Sequence, residues 1–532
     1  MAKKLKNFTQ VYNIHKVFGG GFIKLATSAM IRDIDSFAEN ELRIPVTTLM
    51  ERSGKAVACA VKSIIPKGAR ICILCGCGNN GGDGYAAALE LMDDYAVKLY
   101  DVFGKGQKSD AGKHFRQTFA DKNGSIFCGL PTEESLANET DVLVDAVFGT
   151  GFLGSVPEEL VSLSNFLNTC EHLKVVAVDI PLGVSSDDGA VSDFALRADV
   201  TVALSFPKVA MFSYPAKEYV GRVIIDDLGL DEACISNKFS FENVYVDFAF
   251  ARSLLPKRSD NSNKGSFGKA LLIVGSSEYM GASALALESA LRGGAGYVSF
   301  AGDDKLCDFL LTRFPEALYN RASISDTERI LKISERQDSI IVGSGSGCTE
   351  EIYNLVRSLL KVSGAPIIID ADGINAISKY GSLDDLKSSR RAIILTPHPL
   401  EFSRLSGISV NDIGKNRYGV AKKFAEEFGV TLLLKGAATV VTDGRTTFIN
   451  GSGSSALAKA GSGDVLAGLL ASILAYKKSP VESAALAAYI HGRCGDLLAN
   501  EYSSYGVTPS DIPKIATKVM AELERGEENG IS

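Results

Sequence analysis

Short apolar runs alternate along this chain with longer stretches in which apolar residues recur at helical spacing. Helices are predicted over 30–42 and 46–63, followed by an apolar strand over 70–75. A loop, a helix over 84–92 and a strand over 96–102 come next, with further strands at 142–147, 174–179, 200–204 and 222–226. Short apolar strands separated by helices imply a parallel sheet covered on both faces. The chain turns polar over Leu254-Leu-Pro-Lys-Arg-Ser-Asp-Asn-Ser-Asn-Lys264, so a domain boundary is placed just before it, at 240/241. A second alternating series begins at 268–275 and continues at 340–342, 366–369, 392–395 and 431–434. The expected organisation is an extension (1–29), an α/β domain (30–240), a second α/β domain (241–522) and a charged, frayed tail (523–532). No convincing repeat relates the two halves.

Composition narrows the function classes. The 532 residues suffice for about two to four domains. An apolar content of 46% with 22% charged residues is that of an ordinary globular protein. A net charge of −7 argues against a nucleic-acid surface. An anionic ligand must then be held by backbone N–H groups and local Lys or Arg. Ten cysteines without a secretory framework fit reduced thiols in the cytoplasm. No apolar run reaches the ~18 residues that span a membrane. Lys3, Lys4 and Lys6 precede Phe18-Gly-Gly-Gly-Phe22 without an apolar core or cleavage site, so residues 1–29 are read as an extension and not a signal peptide.

The most telling stretch is Ser454-Ser455-Ala456-Leu457-Ala458-Lys459-Ala460-Gly461-Ser462-Gly463-Asp464, which runs into an apolar helix. Its glycines permit a turn of N–H groups at a helix start, a ready anion site. Asp464 at the mouth of that turn can move a proton or activate a hydroxyl. The competing reading is a plain helix cap. Strand ends in the same half carry Gly343-Ser-Gly-Ser-Gly347, Asp370-Ala-Asp372, Thr396-Pro-His-Pro399 with Glu401, and Leu434-Lys-Gly-Ala-Ala-Thr439. Groups at the carboxyl ends of successive parallel strands share one rim. His398, between two prolines, has a stiff backbone that would present its ring in a fixed direction. Lys435 beside Gly436 could meet a phosphate or stand as a solvated surface lysine.

In the first half, the strand over 70–75 leads into Gly76-Cys-Gly-Asn-Asn-Gly-Gly-Asp-Gly84, and the strand over 142–147 into Gly149-Thr-Gly-Phe-Leu-Gly154. Both contain GxGxxG, a weak signal among 52 glycines. Asp101 at the next strand end could touch a ribose, which keeps a dinucleotide dehydrogenase open. Asn79, Asn80, Asp83, Asp145 and Asp179 fall at or near strand ends, where their oxygens could bind a cation or ligand hydroxyls. Asx turns that shape the loops are the alternative. Cys72, Cys75 and Cys77 have no partner pair elsewhere, so core packing is favoured over a metal.

Residues 30–230 resemble the YjeF N-terminal family, the NAD(P)H-hydrate epimerases, through Leu49-Met-Glu51, Gly78-Asn-Asn-Gly-Gly-Asp-Gly84, Asp145-Ala-Val-Phe-Gly-Thr-Gly151 and Asp179-Ile-Pro181. The resemblance implies a Rossmann-like three-layer αβα domain. It places Asn79, Asn80, Gly81, Gly82, Asp83, Gly149, Thr150, Gly151, Phe152, Leu153, Gly154, Ser155 and Asp179 against a hydrated nicotinamide nucleotide, and Asn80 and Asp145 on potassium. After Ile-Pro that family usually carries Ser or Thr; this chain has Leu182. From about Leu254 to Ala521 the chain is similar to the ribokinase-like NAD(P)H-hydrate dehydratases, through Lys264-Gly265, Asp370-Ala-Asp372, Thr396-Pro-His-Pro399, Leu434-Lys-Gly436 and Ala460-Gly-Ser-Gly-Asp464. This implies a ribokinase-like αβα domain that uses ADP, or ATP, with Mg2+. Lys435, Gly436, Ala437, Ala438 and Thr439 would hold the nucleotide with Ser454, Ser455, Ala456, Leu457, Ala458, Lys459, Ala460, Gly461, Ser462 and Gly463. Ala282, Gly347, His398, Pro399, Leu400, Glu401, Phe402, Ser403, Arg404 and Asp464 would contact the hydrate, with Asp464 catalytic.

Together the halves resemble the bifunctional NAD(P)H-hydrate repair family, which implies NADHX, NADPHX and ADP as small-molecule partners, no nucleic acid or membrane, and a homo-oligomer. A small-molecule kinase, a dehydrogenase and a non-catalytic first half remain the rival classes.

Overall fold

The computed structural model describes residues 22–150, 156–476 and 479–528. The chain divides into two compact units, residues 1–241 and 242–532.

The first unit is built on a seven-stranded parallel sheet. Its order is Ser125–Cys128, Ala96–Asp101, Arg70–Cys75, Val142–Ala146, Lys174–Val178, Val200–Leu204, Arg222–Asp226. The strands Val142–Ala146 and Val200–Leu204 are buried at every residue, which is why they read as unbroken apolar runs. One face carries the mutually packed helices Val46–Lys62, Asn79–Leu91 and Asp110–Asp121. On the other, Cys72, Leu74 and Leu143 pack with Leu136, Leu160, Leu163 and Leu167 from two helices. Strand order reverses between Arg70–Cys75 and Val142–Ala146, so a ligand crevice is expected beyond their carboxyl ends.

The second unit has ten strands in the order Asn243–Val246, Thr447–Asn450, Val440–Thr442, Thr431–Leu434, Ile393–Leu395, Ile367–Ile369, Ser339–Val342, Lys269–Ile273, Tyr297–Gly302, Leu318–Arg321. Seven successive strands from Thr431–Leu434 to Leu318–Arg321 are parallel, while Val440–Thr442 runs antiparallel to both neighbours. Ile340, Ile367, Ile369 and Leu395 pack against Leu355, Leu359, Ile374, Phe402 and Phe424 on one face. Helices Met280–Arg292, Ser462–Leu474 and Pro480–Gly506 pack together as another layer. Ser462–Leu474 is buried nearly all round, and a Cβ on Gly468 would come within 2.0 Å of the Ala286 carbonyl oxygen. Glycine there lets two backbones touch. Here the strand order reverses between Lys269–Ile273 and Ser339–Val342. Both units are therefore three-layer α/β folds.

Three expectations need correction. The Asn-Asn-Gly-Gly-Asp run is no loop: the helix begins at Asn79, five residues before the expected start. A Cβ on Gly81 would lie 1.8 Å from the Gly76 carbonyl oxygen, and one on Gly82 2.6 Å from Met50 Cε, so the glycines buy close packing of the helix start. Residues 26–29 are not a loose extension. Ala26 N–H donates to Pro207 O at 2.9 Å, and helix Ser28–Asn40 is capped by Thr27. The predicted tail from 523 overlaps helix Ile512–Arg525, whose Ile515, Val519 and Leu523 are buried. Among the described residues no helix is long and apolar enough to cross a membrane.

Candidate active sites

In the first unit a cleft of about 680 Å³ opens at the strand-order reversal. Gly78, Asn79, Asn80, Asp83, Gly149, Thr150 and Asp179 line it, as do Leu49, Met50 and Phe148. The Asn80 side chain donates from Nδ2 to Phe148 O at 2.9 Å, tying the start of helix Asn79–Leu91 to the segment after Val142–Ala146. Gly81 and Gly82 lie behind the wall, buried. Gly151, Phe152, Leu153, Gly154 and Ser155 lie outside the described residues.

Asp145 is fully buried. Its Oδ2 accepts the Leu182 N–H at 2.7 Å and its Oδ1 the Val147 N–H at 3.2 Å. Burial pushes its carboxyl up to about 6, against the pull of both donors. The Leu182 side chain is buried with Leu143, Val147 and Leu196, so it serves the core while its backbone serves Asp145. Leu182→Ser should therefore cost about 2–5 kcal/mol, as large-to-small core changes do. Urea unfolding of the full chain checks this; an unchanged first transition would show that Leu182 is dispensable for packing.

Asp179 has φ 66°, an uncommon conformation for a non-glycine residue. Its Oδ1 accepts from Lys208 Nζ and, at 3.3 Å, from Leu204 N–H. Lys208 is completely buried and also donates to Leu204 O at 3.0 Å. Asp83 is held well above the usual carboxylate range, by burial first and by the Asp179 charge second. Sequence reasoning passed over Lys208 and Asp35. A lone lysine inside Val-Ala-Leu-Ser-Phe-Pro-Lys208-Val-Ala-Met-Phe was the available signal. Asp101 faces inward: it is 1% exposed, accepts from Gly106 N–H at 2.9 Å and sits 3.8 Å from Arg116 Nε. That placement removes the ribose contact on which the dehydrogenase reading leaned. Cys72 and Cys75 are buried strand residues, consistent with core packing.

In the second unit the strand ends converge as their order implies. Asp370 follows Ile367–Ile369, Glu401 lies in the helix after Ile393–Leu395, Lys435 follows Thr431–Leu434, and Asp464 occupies the first turn of Ser462–Leu474. Lys435 Nζ donates to Asp370 Oδ1 at 3.1 Å and lies 3.9 Å from Glu401 Oε2. A Cβ on Gly463 would be 3.4 Å from the same Nζ. Asp370 also accepts from Ser344 Oγ and Thr396 Oγ1, both at 2.7 Å. Burial works to lower the Lys435 ammonium, but Asp370, Glu401 and Asp464 outweigh it and raise it. Burial, with Asp370 next, lifts the Asp464 carboxyl to about 7, and Lys435 opposes.

The helix at Ser462 has no side-chain cap; Gly461 precedes it at φ 95°. Ser462 N–H donates to Lys459 O at 3.2 Å, and the Gly463 and Asp464 N–H groups that follow have no side-chain cap, as an anion cradle requires. Behind it, His491 Nε2 lies 3.0 Å from both Ser462 O and Ser462 Oγ, and burial lowers the imidazole to about 4. This neutral brace under the glycine turn was also missed, being one histidine at the end of the apolar run 484–490 of helix Pro480–Gly506. Asp372 Oδ2 accepts Gly347 N–H at 2.8 Å.

His398 is a helix cap: Nδ1 accepts the N–H groups of Leu400 and Glu401, and Glu401 Oε2 accepts His398 N–H at 2.9 Å. Its ring is fixed, as its prolines suggest, and Nε2 lies 3.2 Å from Glu401 Oε1. Pro399 starts this helix, Leu400 is exposed, and Arg404 donates to Asn375 Oδ1 at 3.1 Å. Phe402 is a core residue, 0% exposed and edge-on to Phe424, so it cannot face a ligand from this position. Ser403 is partly exposed on the same helix, and Ala282 is partly exposed near Gly345. Gly436, Ala437, Ala438 and Thr439 form the turn after Lys435, with Arg417 donating to Ala437 O at 2.7 Å. Ser454, Ser455, Leu457, Ala458, Lys459 and Ala460 reach the surface to differing degrees before Gly461, while Ala456 is buried.

Each unit thus gathers a glycine-bearing helix start and ionisable groups at the carboxyl ends of its parallel strands, which defines a two-module α/β enzyme for anionic ligands. Residues 46–210 match the YjeF-related protein N-terminus family and residues 270–518 the NAD(P)H-hydrate dehydratase family. A bifunctional NAD(P)H-hydrate repair enzyme of Thermofilum pendens is 33% identical over 526 residues, covering 95% of this chain and 98% of its own. One from Moorella thermoacetica is 31% identical over 519 residues, covering 94% and 97%. A solved ADP/ATP-dependent NAD(P)H-hydrate dehydratase of Bacillus subtilis, co-crystallised with ATP and Mg2+, is 31% identical with a TM-score of 0.48, covering 52% of this chain and 98% of that one. The chain belongs to the bifunctional NAD(P)H-hydrate repair enzyme family.

Proposed function

We propose that this chain restores hydrated NADH and NADPH: the first unit interconverts the R and S hydrates, and the second dehydrates the S form with ADP as co-substrate. The observation that carries this reading is Asp464 in the first turn of an uncapped helix, with Lys435 beside it. Asp464 takes the proton of the ring hydroxyl as the hydroxyl oxygen attacks the terminal phosphate. That O–P bond forms while the bond to AMP breaks. The N–H groups of the glycine turn and the Lys435 ammonium offset the charge that develops. The ring nitrogen then expels phosphate, and loss of a proton from the neighbouring carbon restores the double bond. The products are NADH or NADPH, AMP and phosphate.

Magnesium would enter with the nucleotide, held by its phosphates and by one or two of the carboxylates gathered here, Asp370, Asp372, Glu401 and Asp464, and would offset charge on the transferring phosphate. Potassium suits the first unit better. The Asn80 amide oxygen and the buried Asp145 carboxyl would hold it, and its charge would favour the ionised carboxyl. The chain's unpaired cysteines suit a reducing compartment such as the cytoplasm.

The test is recovery of 340-nm absorbance from a mixed-epimer hydrate with ADP, ATP or no nucleotide, with and without potassium. Full ADP-dependent recovery supports both activities. Recovery that halts at the S fraction removes the epimerase. A stable phosphorylated product would instead make the second unit a small-molecule kinase.

A further inference from the structure

The repair reading leaves two ionisable groups of the first unit without a role. Asp35, on helix Ser28–Asn40, is exposed into the cleft that Asp83 and Asp179 also line. Lys208 lies beneath that cleft, fully buried, with its ammonium on Asp179. A buried cation needs a charged partner, and removing either member strands the other. The pair sits where the backbone itself is strained, at Asp179 with φ 66°. Such strain persists where the surroundings over-determine a geometry, and it concentrates at functional sites.

We propose that Asp35 and Asp179 are the proton-transfer pair of hydrate epimerisation, with Lys208 the positioning residue behind Asp179. The inference rests on the epimerase reading and gives it a mechanism. Hydration of an enamine places the hydroxyl on the carbon bonded to the ring nitrogen. That carbon inverts if the ring opens and recloses. One carboxylate removes the hydroxyl proton, the C–N bond breaks, and its electron pair stays on nitrogen. Nitrogen takes a proton from the other carboxyl, leaving an aldehyde and an N–H. Rotation presents the opposite face of the aldehyde, and the reverse transfers close the ring. Both protons are returned and nothing is oxidised. The reaction needs two carboxyl groups on one cleft, one able to give a proton and one able to take it.

The surroundings of Asp35 suit this exchange. Enclosure by the cleft raises its carboxyl to about 6; Lys208 opposes and Asp179 adds to the rise. The other charged groups around the cleft are Arg32 and Glu39 on the same helix, and Asp83 and Lys108 from other elements. Asp83 is the less suitable donor, being buried and bonded to Ser53.

The experiment uses the full chain carrying Asp464→Asn, so that dehydration does not drain the pool. Pure S hydrate is supplied and formation of R hydrate is followed by chromatography. This parent should interconvert the epimers well above the enzyme-free rate. Adding Asp35→Asn should lower kcat about 10²-fold or more with KM little changed. Its melting temperature should be no lower than the parent's at neutral pH, because the variant has no carboxylate charge to enclose. Asp35→Glu should recover part of the rate. An Asp35→Asn chain as fast as the parent, or one that raises KM alone, overturns the proposal. A parent no faster than the enzyme-free control overturns the epimerase reading itself, and the proposal with it.

Discussion

Asp464→Asn is expected to lower ADP-dependent dehydration by about 10²-fold or more, the usual loss on removing a general base. The carboxyl is lifted to about 7, so wild-type turnover should climb as pH rises through 7 and level off above it. The variant should lose that limb. Its stability should move the other way. A carboxyl whose folded value exceeds its unfolded value of about 4 binds the proton more tightly when folded. Its contribution is therefore full below pH 4, and is lost as pH rises toward 7. Asparagine has no such charge to bury, so the variant should melt no lower than wild type at pH 8. Lower activity with undiminished melting separates chemistry from folding. Near-normal turnover would remove Asp464 from the mechanism.

Legibility followed burial only in part: Tyr297–Gly302, Val440–Thr442 and Thr447–Asn450 are buried almost throughout yet went unpredicted, being short or broken by Ser, Thr and Asn. Strands such as Val142–Ala146 and Ile393–Leu395 are buried at every residue, and their apolar runs were plain in the sequence. Ser125–Cys128 and Leu318–Arg321 lie at sheet edges, are only 4 residues long and contain no fully buried residue, so they went unpredicted. Helix Asn79–Leu91 was begun too late because its first residues have turn-like propensities, which close packing against Gly76 and Met50 overrides. The same logic holds at the sites. Asp464, Lys435 and Asp179 stand next to glycines or at strand ends, where a motif can be seen. Asp35, Lys208 and His491 act from helices or behind the site, and their relation to it exists only once the chain is folded.

Lys435→Met is the second large effect expected. Lys435 faces Asp370, Glu401 and Asp464, and it holds the Asp464 carboxyl down against burial and the three carboxyl neighbours Asp370, Asp372 and Glu401. Without the ammonium the carboxyl must rise further. The fraction of Asp464 able to accept a proton at pH 7 then falls, and the rising limb of the pH–rate profile moves to higher pH. Loss of the cation beside the glycine turn also removes charge stabilisation from the transferring phosphate, a loss of about 10²–10³-fold by analogy with a single oxyanion donor. The two effects differ in their response to pH. Raising the pH should return the part due to Asp464 and leave the part due to the phosphate. Asp370 keeps its bonds from Ser344 and Thr396, so the turn should stay folded although the unit loses a partly buried ion pair. A variant whose profile keeps the wild-type midpoint would show that Lys435 does not tune Asp464, and would confine its role to the nucleotide.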